Sequence, residues 1–441
     1  MLLPYGSMRL RPRVFLLSAA VFAATLWTFL AGRQPAPTSP DAQALERDYP
    51  LTWKHVHLFN GTGGAWYIPP GWMGEGQPEP QTIVEAARLA SNAATSKRHR
   101  QLAFSNIPLL VHQTSATAQV TRWKPDVLPW VEQWLQYSVS PDRSSPMAYF
   151  FWDDGGILAF MREFESDFLD DFNALFTPVE RADIFRILAC KWFGGVVRVP
   201  LPTARLDARL LTRPHPATWI RSSDLAVWTD EVTGSTYGHE FGQGASSASD
   251  KTSSRLVNLL WGLEADTDPQ SDAYWRMGYT YPVQLTQWAL ASAPKHPVLS
   301  RFMDGLNAQI SEAKNASSDA AGATAAAGKA DPLTRTGPAA VTLATSTWLH
   351  KEIGFRWNAL TGLKDGGRAK LVSDILVLPI TGFSPGRGKY GNMGSKPVTD
   401  PDARLHHHAL GSWRRFDLRV EYGKFCRTMF GWCKTWTKVP A

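Results

Sequence analysis

The chain has 441 residues, 44% of them hydrophobic and 19% charged, with a formal net charge of +7. That length and balance suit a folded domain with a substantial buried core and exclude a disordered or low-complexity chain. The Lys and Arg are scattered with no dense basic helix, and the chain carries no Walker loop and no Gly-x-Ser-x-Gly elbow, which argues against nucleic acid as a partner and against P-loop or serine-hydrolase chemistry.

From the N-terminus, Val14 to Ala31 is an uncharged run of 18 residues, which as a helix spans roughly 27 Å, enough to cross a bilayer core. Arg9, Arg11 and Arg13 precede it and only Arg33 follows closely. The positive-inside bias then predicts a cytoplasmic tail over 1–13, a single-pass anchor over 14–31 and a lumenal remainder; a cleaved signal peptide is the rival reading. Residues 32–104 read as stem and N-terminal extension, Pro-rich over 32–50. The sequons Asn60-Gly61-Thr62 and Asn315-Ala316-Ser317 suit a lumenal location.

From residue 105 to 441 the pattern is that of one domain. Pro108 to Val111 is a short apolar run ending in His112-Gln113-Thr114, and 126–137 reads as a helix with an apolar face. Ala148 to Trp152 reads as a second strand closed by Asp153-Asp154-Gly155-Gly156, and a helix from Pro178 to Phe193 leads into Gly194-Gly195 and a strand at Val196–Val199. Further strand-like runs stand at 225–228, 257–263 and 375–378, with loop-like stretches at 241–254 and 316–330. This alternation predicts an α/β fold, a mostly parallel Rossmann-like sheet flanked by helices, with ligands at the carboxyl ends of the strands.

Several constellations could carry chemistry. In Arg181-Ala182-Asp183-Ile184-Phe185-Arg186, Asp183 and Arg186 are i and i+3 and share one helix face, either as a solvated pair or as part of a site. Glu264 and Asp266 end a strand, as site carboxylates or as a surface acidic turn. Trp275, Tyr279, Gln284 and Gln287 form an aromatic, amide-rich patch, either plain core or a surface for a sugar acceptor, because indole and phenol rings stack on sugars and amides bond hydroxyls. The nineteen Trp of the chain suit sugar handling in the same way, although most serve as core. Gly382 to Tyr390 reads as a basic loop, with or without a role in closing over a ligand. Of the three cysteines, Cys190 lies in an apolar helical run, while Cys426 and Cys433 are either a disulfide or free thiols.

Ile107-Pro108-x-x-Val111-His112-Gln113-Thr114, the Arg181–Arg186 helix and Gly194-Gly195 resemble glycosyltransferase family 32. Gly262-Leu263-Glu264-Ala265-Asp266, Trp275 to Tyr279, Thr336-Gly337-Pro338 and His407 to Trp413 are similar to its fungal initiation-specific α-1,6-mannosyltransferases. The resemblance covers roughly residues 105–440 and implies a GT-A fold, GDP-mannose as donor, N-linked glycans as acceptor, Mn²⁺ or Mg²⁺, and retention of the α configuration. It implies that His112, Gln113, Thr114 and Arg181 line the donor pocket, that Asp183 and Arg186 contact ribose or sugar, and that Glu264 and Asp266 face the transferred sugar or acceptor hydroxyl. It further implies a type II protein of the Golgi membrane with a lumenal catalytic domain, in complex with other mannosyltransferases. Transfer to inositol phosphorylceramide is a related activity of the family.

One departure stands out. The family places Asp-x-Asp after Gly-Gly, as hard oxygen ligands for a divalent cation; here those positions are Val199 and Leu201. Three readings stand side by side: a gene-model or splicing error over 196–206, a catalytically inactive relative that binds glycans or a partner transferase, or a metal-independent site in which Arg198, Arg205 or Arg209 offsets the diphosphate. His408, within His406-His407-His408, stands where the family places a His near the diphosphate, as a metal ligand or a surface turn.

Overall fold

The computed structural model describes residues 42–198 and 257–434, apart from 103–104, 124, 140–145, 176, 272, 316–330, 364–366, 368, 387–392, 401 and 406–417. The expected anchor at 14–31, the strand at 225–228, the loops at 241–254 and 316–330, and Val199, Leu201, Arg205, Arg209 and His408 lie outside the described residues. Among those described, no helix is long and apolar enough to cross a membrane.

Among the described residues, nine strands form one sheet. They are β1 (Gly64–Tyr67), β2 (Leu110–Thr114), β3 (Ala148–Trp152), β4 (Gly195–Arg198), β5 (Leu259–Asp266), β6 (Val283–Leu285), β7 (Ala289–Ser292), β8 (Lys370–Val372) and β9 (Ile375–Leu378), in the order β1-β3-β2-β4-β7-β5-β9-β8, with β6 paired to β5. β2 runs parallel to β3 and β4, and β5 parallel to β9, while β7 is antiparallel to both β4 and β5 between the two parallel groups. Parallel pairing thus holds within the two groups β3-β2-β4 and β5-β9, as the sequence predicts, while the reversed β7 divides them and the reversed β1 and β8 close the edges. β2 and β3 are buried at every position, which is why they read as unbroken apolar runs rather than alternating ones.

The longer helices among the described residues are α1 (Ala42–Asp48), α2 (Ile83–Thr95), α3 (Leu128–Val139), α4 (Asp154–Phe164), α5 (Pro178–Phe193), α6 (Pro297–Asn315), α7 (Pro338–Ile353) and α8 (Leu418–Phe430). Residues 42–102, read from the sequence as stem and extension, are built into this fold. β1 pairs along β3, and Glu132 of α3 accepts the backbone N–H groups of Leu51 at 3.0 Å and Thr52 at 2.7 Å. The short β1 covers an edge that β3 would otherwise expose.

Local chemistry sets the ends of α5. Pro178 occupies its first turn, and Thr177 and Glu180 form a reciprocal capping box. It stops at Gly194, where φ is 70°, followed by Gly195 at 96°, a backbone conformation that Cβ-bearing residues resist. A Cβ at Gly194 would stand 2.8 Å from the Ser292 carbonyl oxygen and one at Gly195 2.7 Å from that of Leu110. The pair therefore turns the chain from helix into β4 with backbones in close approach on both sides. Trp134, Trp152 and Trp261 are among the largest fully buried side chains.

Candidate functional site

From β2 the chain passes through α3 to β3 on one side, then returns through α4 and α5 to β4 on the other side of β2. The connections diverge between the carboxyl ends of β2 and β4, the switch point at which open α/β sheets bind ligands. Thr114 closes β2 there, and Arg198 closes β4. β7 enters from the same end, because its first residue Ala289 pairs with Arg198, so Gln287 sits at that end too. The N-terminal half of α5, carrying Glu180 and Asp183, lies at that end because α5 runs down to the Gly194-Gly195 turn at the opposite edge.

There the structure joins three segments that lie far apart in sequence. Arg186 and Asp183 form an ion pair. Arg186 Nη2 also donates to Gln287 Oε1 at 2.8 Å, and Gln287 Nε2 donates to the Asp183 backbone oxygen at 2.9 Å. Thr336 Oγ1 donates to Asp183 Oδ2 at 3.1 Å. Asp183, Arg186, Gln287 and Thr336 are each 5% exposed or less, so the solvated-pair reading is overturned. Burial pushes the Asp183 carboxyl up to about 7, against the downward pull of Arg186 and the Thr336 hydroxyl. One turn earlier, Glu180 accepts from Arg335 Nε at 2.7 Å, also buried. Arg186 Nε has no partner among the described residues although it is buried, an unspent donor where an unmade bond is costly.

Thr177-Pro-x-Glu180 is a local signal for the start of α5, but nothing in the sequence points from Glu180 to Arg335 or from Thr336 to Asp183.

The other expected residues fall into two groups. His112 is wholly buried; Trp152 Nε1 donates to its Nδ1 at 3.2 Å, and its Nε2 donates to the Gly194 carbonyl at 3.0 Å. Burial lowers its pKa to about 4, so the ring is neutral and spent on the Gly194 turn. Both ring nitrogens of His112 are thus taken up in supporting the turn behind the switch point. Gln113 Oε1 accepts from Tyr149 Oη, and its Nε2 has no partner among the described residues. Arg181 is half-buried and donates to the Leu175 carbonyl at 3.3 Å. Thr114 is 7% exposed at the end of its strand.

Asp266 is buried, its Oδ1 accepting from Thr361 Oγ1 at 2.6 Å and its Oδ2 from the Gly362 N–H at 2.7 Å, so it pins that turn to β5 and is no exposed acidic turn. Glu264 is half-buried on the same strand. In the expected acceptor patch, Gln284 Oε1 accepts from the N–H groups of Thr280 and Tyr281, and Tyr279 packs half-buried against the core. Trp275 lies beneath Lys434 at 5.5 Å. Among the described contacts of the four, Gln287 alone reaches the Asp183–Arg186 pair.

For a divalent cation, Val199 and Leu201 offer no side-chain donor atom, and among the described residues no group of three or more His, Cys, Asp or Glu could hold the metal ion that the resemblance implies.

No family model matches the chain. Over 164 residues it is 34% identical to the initiation-specific alpha-1,6-mannosyltransferase of Schizosaccharomyces pombe, covering 36% of this chain and 37% of that protein. Over 173 residues it is 28% identical to the initiation-specific alpha-1,6-mannosyltransferase of Candida albicans, covering 35% of this chain and 42% of the relative. The alignments thus span well under half the length of either relative. Over that stretch the chain is similar to fungal α-1,6-mannosyltransferases.

Proposed function

We propose that this chain is a mannosyltransferase that moves mannose from GDP-mannose onto N-linked glycans, through an α-1,6 linkage and with retention, in the Golgi lumen behind a single membrane helix at 14–31. The similarity to two α-1,6-mannosyltransferases supports the reaction class. The observation that carries the reading is the buried Asp183–Arg186 pair at the carboxyl end of the sheet, braced by Gln287 and Thr336 and holding Arg186 Nε in reserve.

In such a transfer the bond from the anomeric carbon to the diphosphate breaks, and its electron pair leaves with the diphosphate. The acceptor hydroxyl adds to that carbon from the same face and gives its proton to the departing diphosphate oxygen. Stabilising developing charge with groups already in place is the main task, and a braced guanidinium suits it because the bracing leaves little to reorganise. In this reading Arg186 Nε donates to a donor oxygen, Asp183 accepts from a sugar or ribose hydroxyl, and Thr114 with Arg181 borders the nucleotide. No step is routed through a metal, since the residues at 199 and 201 do not fit one.

A second reading, a catalytically inactive relative that binds glycans or partner transferases, is favoured by Val199 and Leu201. One experiment separates the two: incubate the full chain with GDP-mannose, Mn²⁺ and a mannose-rich N-glycan, and measure GDP binding beside it. Transferred mannose supports the enzyme; GDP binding without transfer supports the second reading.

A further inference from the structure

Exposed apolar surface is concentrated in one element. Of the ten large hydrophobic side chains exposed among the described residues, six fall within 418–432, including Leu418 at 73%, Met429 at 63% and Trp432 at 71%. α8 seats Val420, Gly423, Cys426 and Arg427 against the protein. Leu418, Tyr422, Phe425 and Met429 recur at steps of four, three and four on its opposite face, so this helix is apolar on two sides. At its end Phe430 packs 5.8 Å from both Phe425 and Trp432, and the Cys426–Cys433 disulfide ties the Trp432 segment back to the helix. An exposed apolar stripe of this extent marks an interaction surface.

The charges around it indicate what it meets. Arg276 and Lys434 are exposed and flank the Trp275 ring at 5.7 and 5.5 Å. On the seated face of α8, Arg427 is 4% exposed, and its Nε and Nη1 have no partner among the described residues. The sole acidic residue of α8, Glu421, is paired with Lys424. A second copy docked symmetrically would bring these cations against themselves. An apolar face with Trp and Tyr at a cationic border instead fits the headgroup region of an anionic bilayer.

We propose that α8 lies flat on an anionic lipid surface, with Leu418, Tyr422, Phe425, Met429 and Trp432 entering the acyl boundary and Arg276 and Lys434 at the phosphates. This rests on the surface of α8 alone and stands or falls independently of the transfer reaction.

The test is hydrogen–deuterium exchange of the full chain reconstituted in nanodiscs of phosphatidylcholine, with and without phosphatidylserine. Exchange across 418–434 is expected to slow by about fivefold or more when phosphatidylserine is present, since each basic side chain near such a surface strengthens binding by about that factor. The double substitution Phe425→Ser/Met429→Ser is expected to abolish the protection while leaving the melting temperature unchanged, because both side chains are exposed. Arg276→Gln/Lys434→Gln is expected to remove the difference between the two lipid compositions. Equal exchange in both compositions by the unsubstituted chain would overturn the proposal, as would protection that grows with protein concentration in lipid-free detergent, the signature of a second copy.

Discussion

Gln287→Leu tests the bracing of the buried pair most cleanly. Leucine nearly preserves the volume of glutamine but removes both of its hydrogen bonds, from Arg186 Nη2 to Oε1 at 2.8 Å and from Nε2 to the Asp183 carbonyl at 2.9 Å. The bond to the guanidinium contributes about 1.5–3 kcal/mol and the neutral one about 1 kcal/mol. Asp183 is 5% exposed and Arg186 2%, so water replaces the lost bonds poorly. The substitution should therefore cost about 3 kcal/mol of unfolding free energy. Urea unfolding followed by tryptophan fluorescence would show a lower midpoint at an unchanged slope. Gln287→Glu keeps the acceptor for Arg186 but sets a carboxylate against the Asp183 carbonyl, and should be no better than leucine. A Gln287→Leu protein within about 0.5 kcal/mol of the unsubstituted chain, the range of ordinary surface changes, would refute the reasoning.

Three further outcomes are expected. Burial lowers the His112 pKa to about 4, so its stabilisation is fully present above the ordinary value near 6.5 and fades as pH falls towards 4. That makes about 3 kcal/mol of acid sensitivity, which His112→Gln should lack; superimposable stability–pH curves for the two proteins would contradict this. Thr336→Val removes the donor to Asp183 Oδ2 and should raise the Asp183 carboxyl further above about 7, visible as a shifted carboxyl resonance on titration; an unmoved titration would sink the assignment. The Cys426–Cys433 disulfide closes a short loop, with a sequence separation of 7, so replacing both cysteines by serine should cost about 2 kcal/mol, measured by thermal melting; no change in melting would count against a stabilising bridge.

The parallel groups on either side of β7 were legible because buried strands and capped helices leave strong local patterns. The strand at Ala148–Trp152 and the helix at Pro178–Phe193 appear where the sequence puts them, one as an unbroken apolar run and the other between Thr177-Pro178 and Gly194. β1 and α2 were hidden because Gly64–Tyr67 is four residues long and gains its place from pairing with β3 rather than from its own composition. Asp183 with Arg186 could be read as a pair from helix geometry, but its burial could not. That depends on Gln287 and Thr336, brought in by β7 and by the turn before α7 from more than a hundred residues away. For a related reason, only the fold shows Trp152 and Gly194 taking both ring nitrogens of His112. The tie between Glu180 and Arg335 left no local trace, since an ion pair between distant residues has no periodicity.

The central claim is that Arg186, held by Asp183 and Gln287, grips a diphosphate-linked sugar. Calorimetric titration of GDP-mannose into the full chain and into its Arg186→Met variant tests it most directly, with circular dichroism confirming that both are folded. The account predicts binding by the unsubstituted chain and a loss of at least about tenfold in affinity for the variant, as one charge-assisted hydrogen bond implies. Equal affinity in two folded proteins would place the sugar elsewhere and contradict the account.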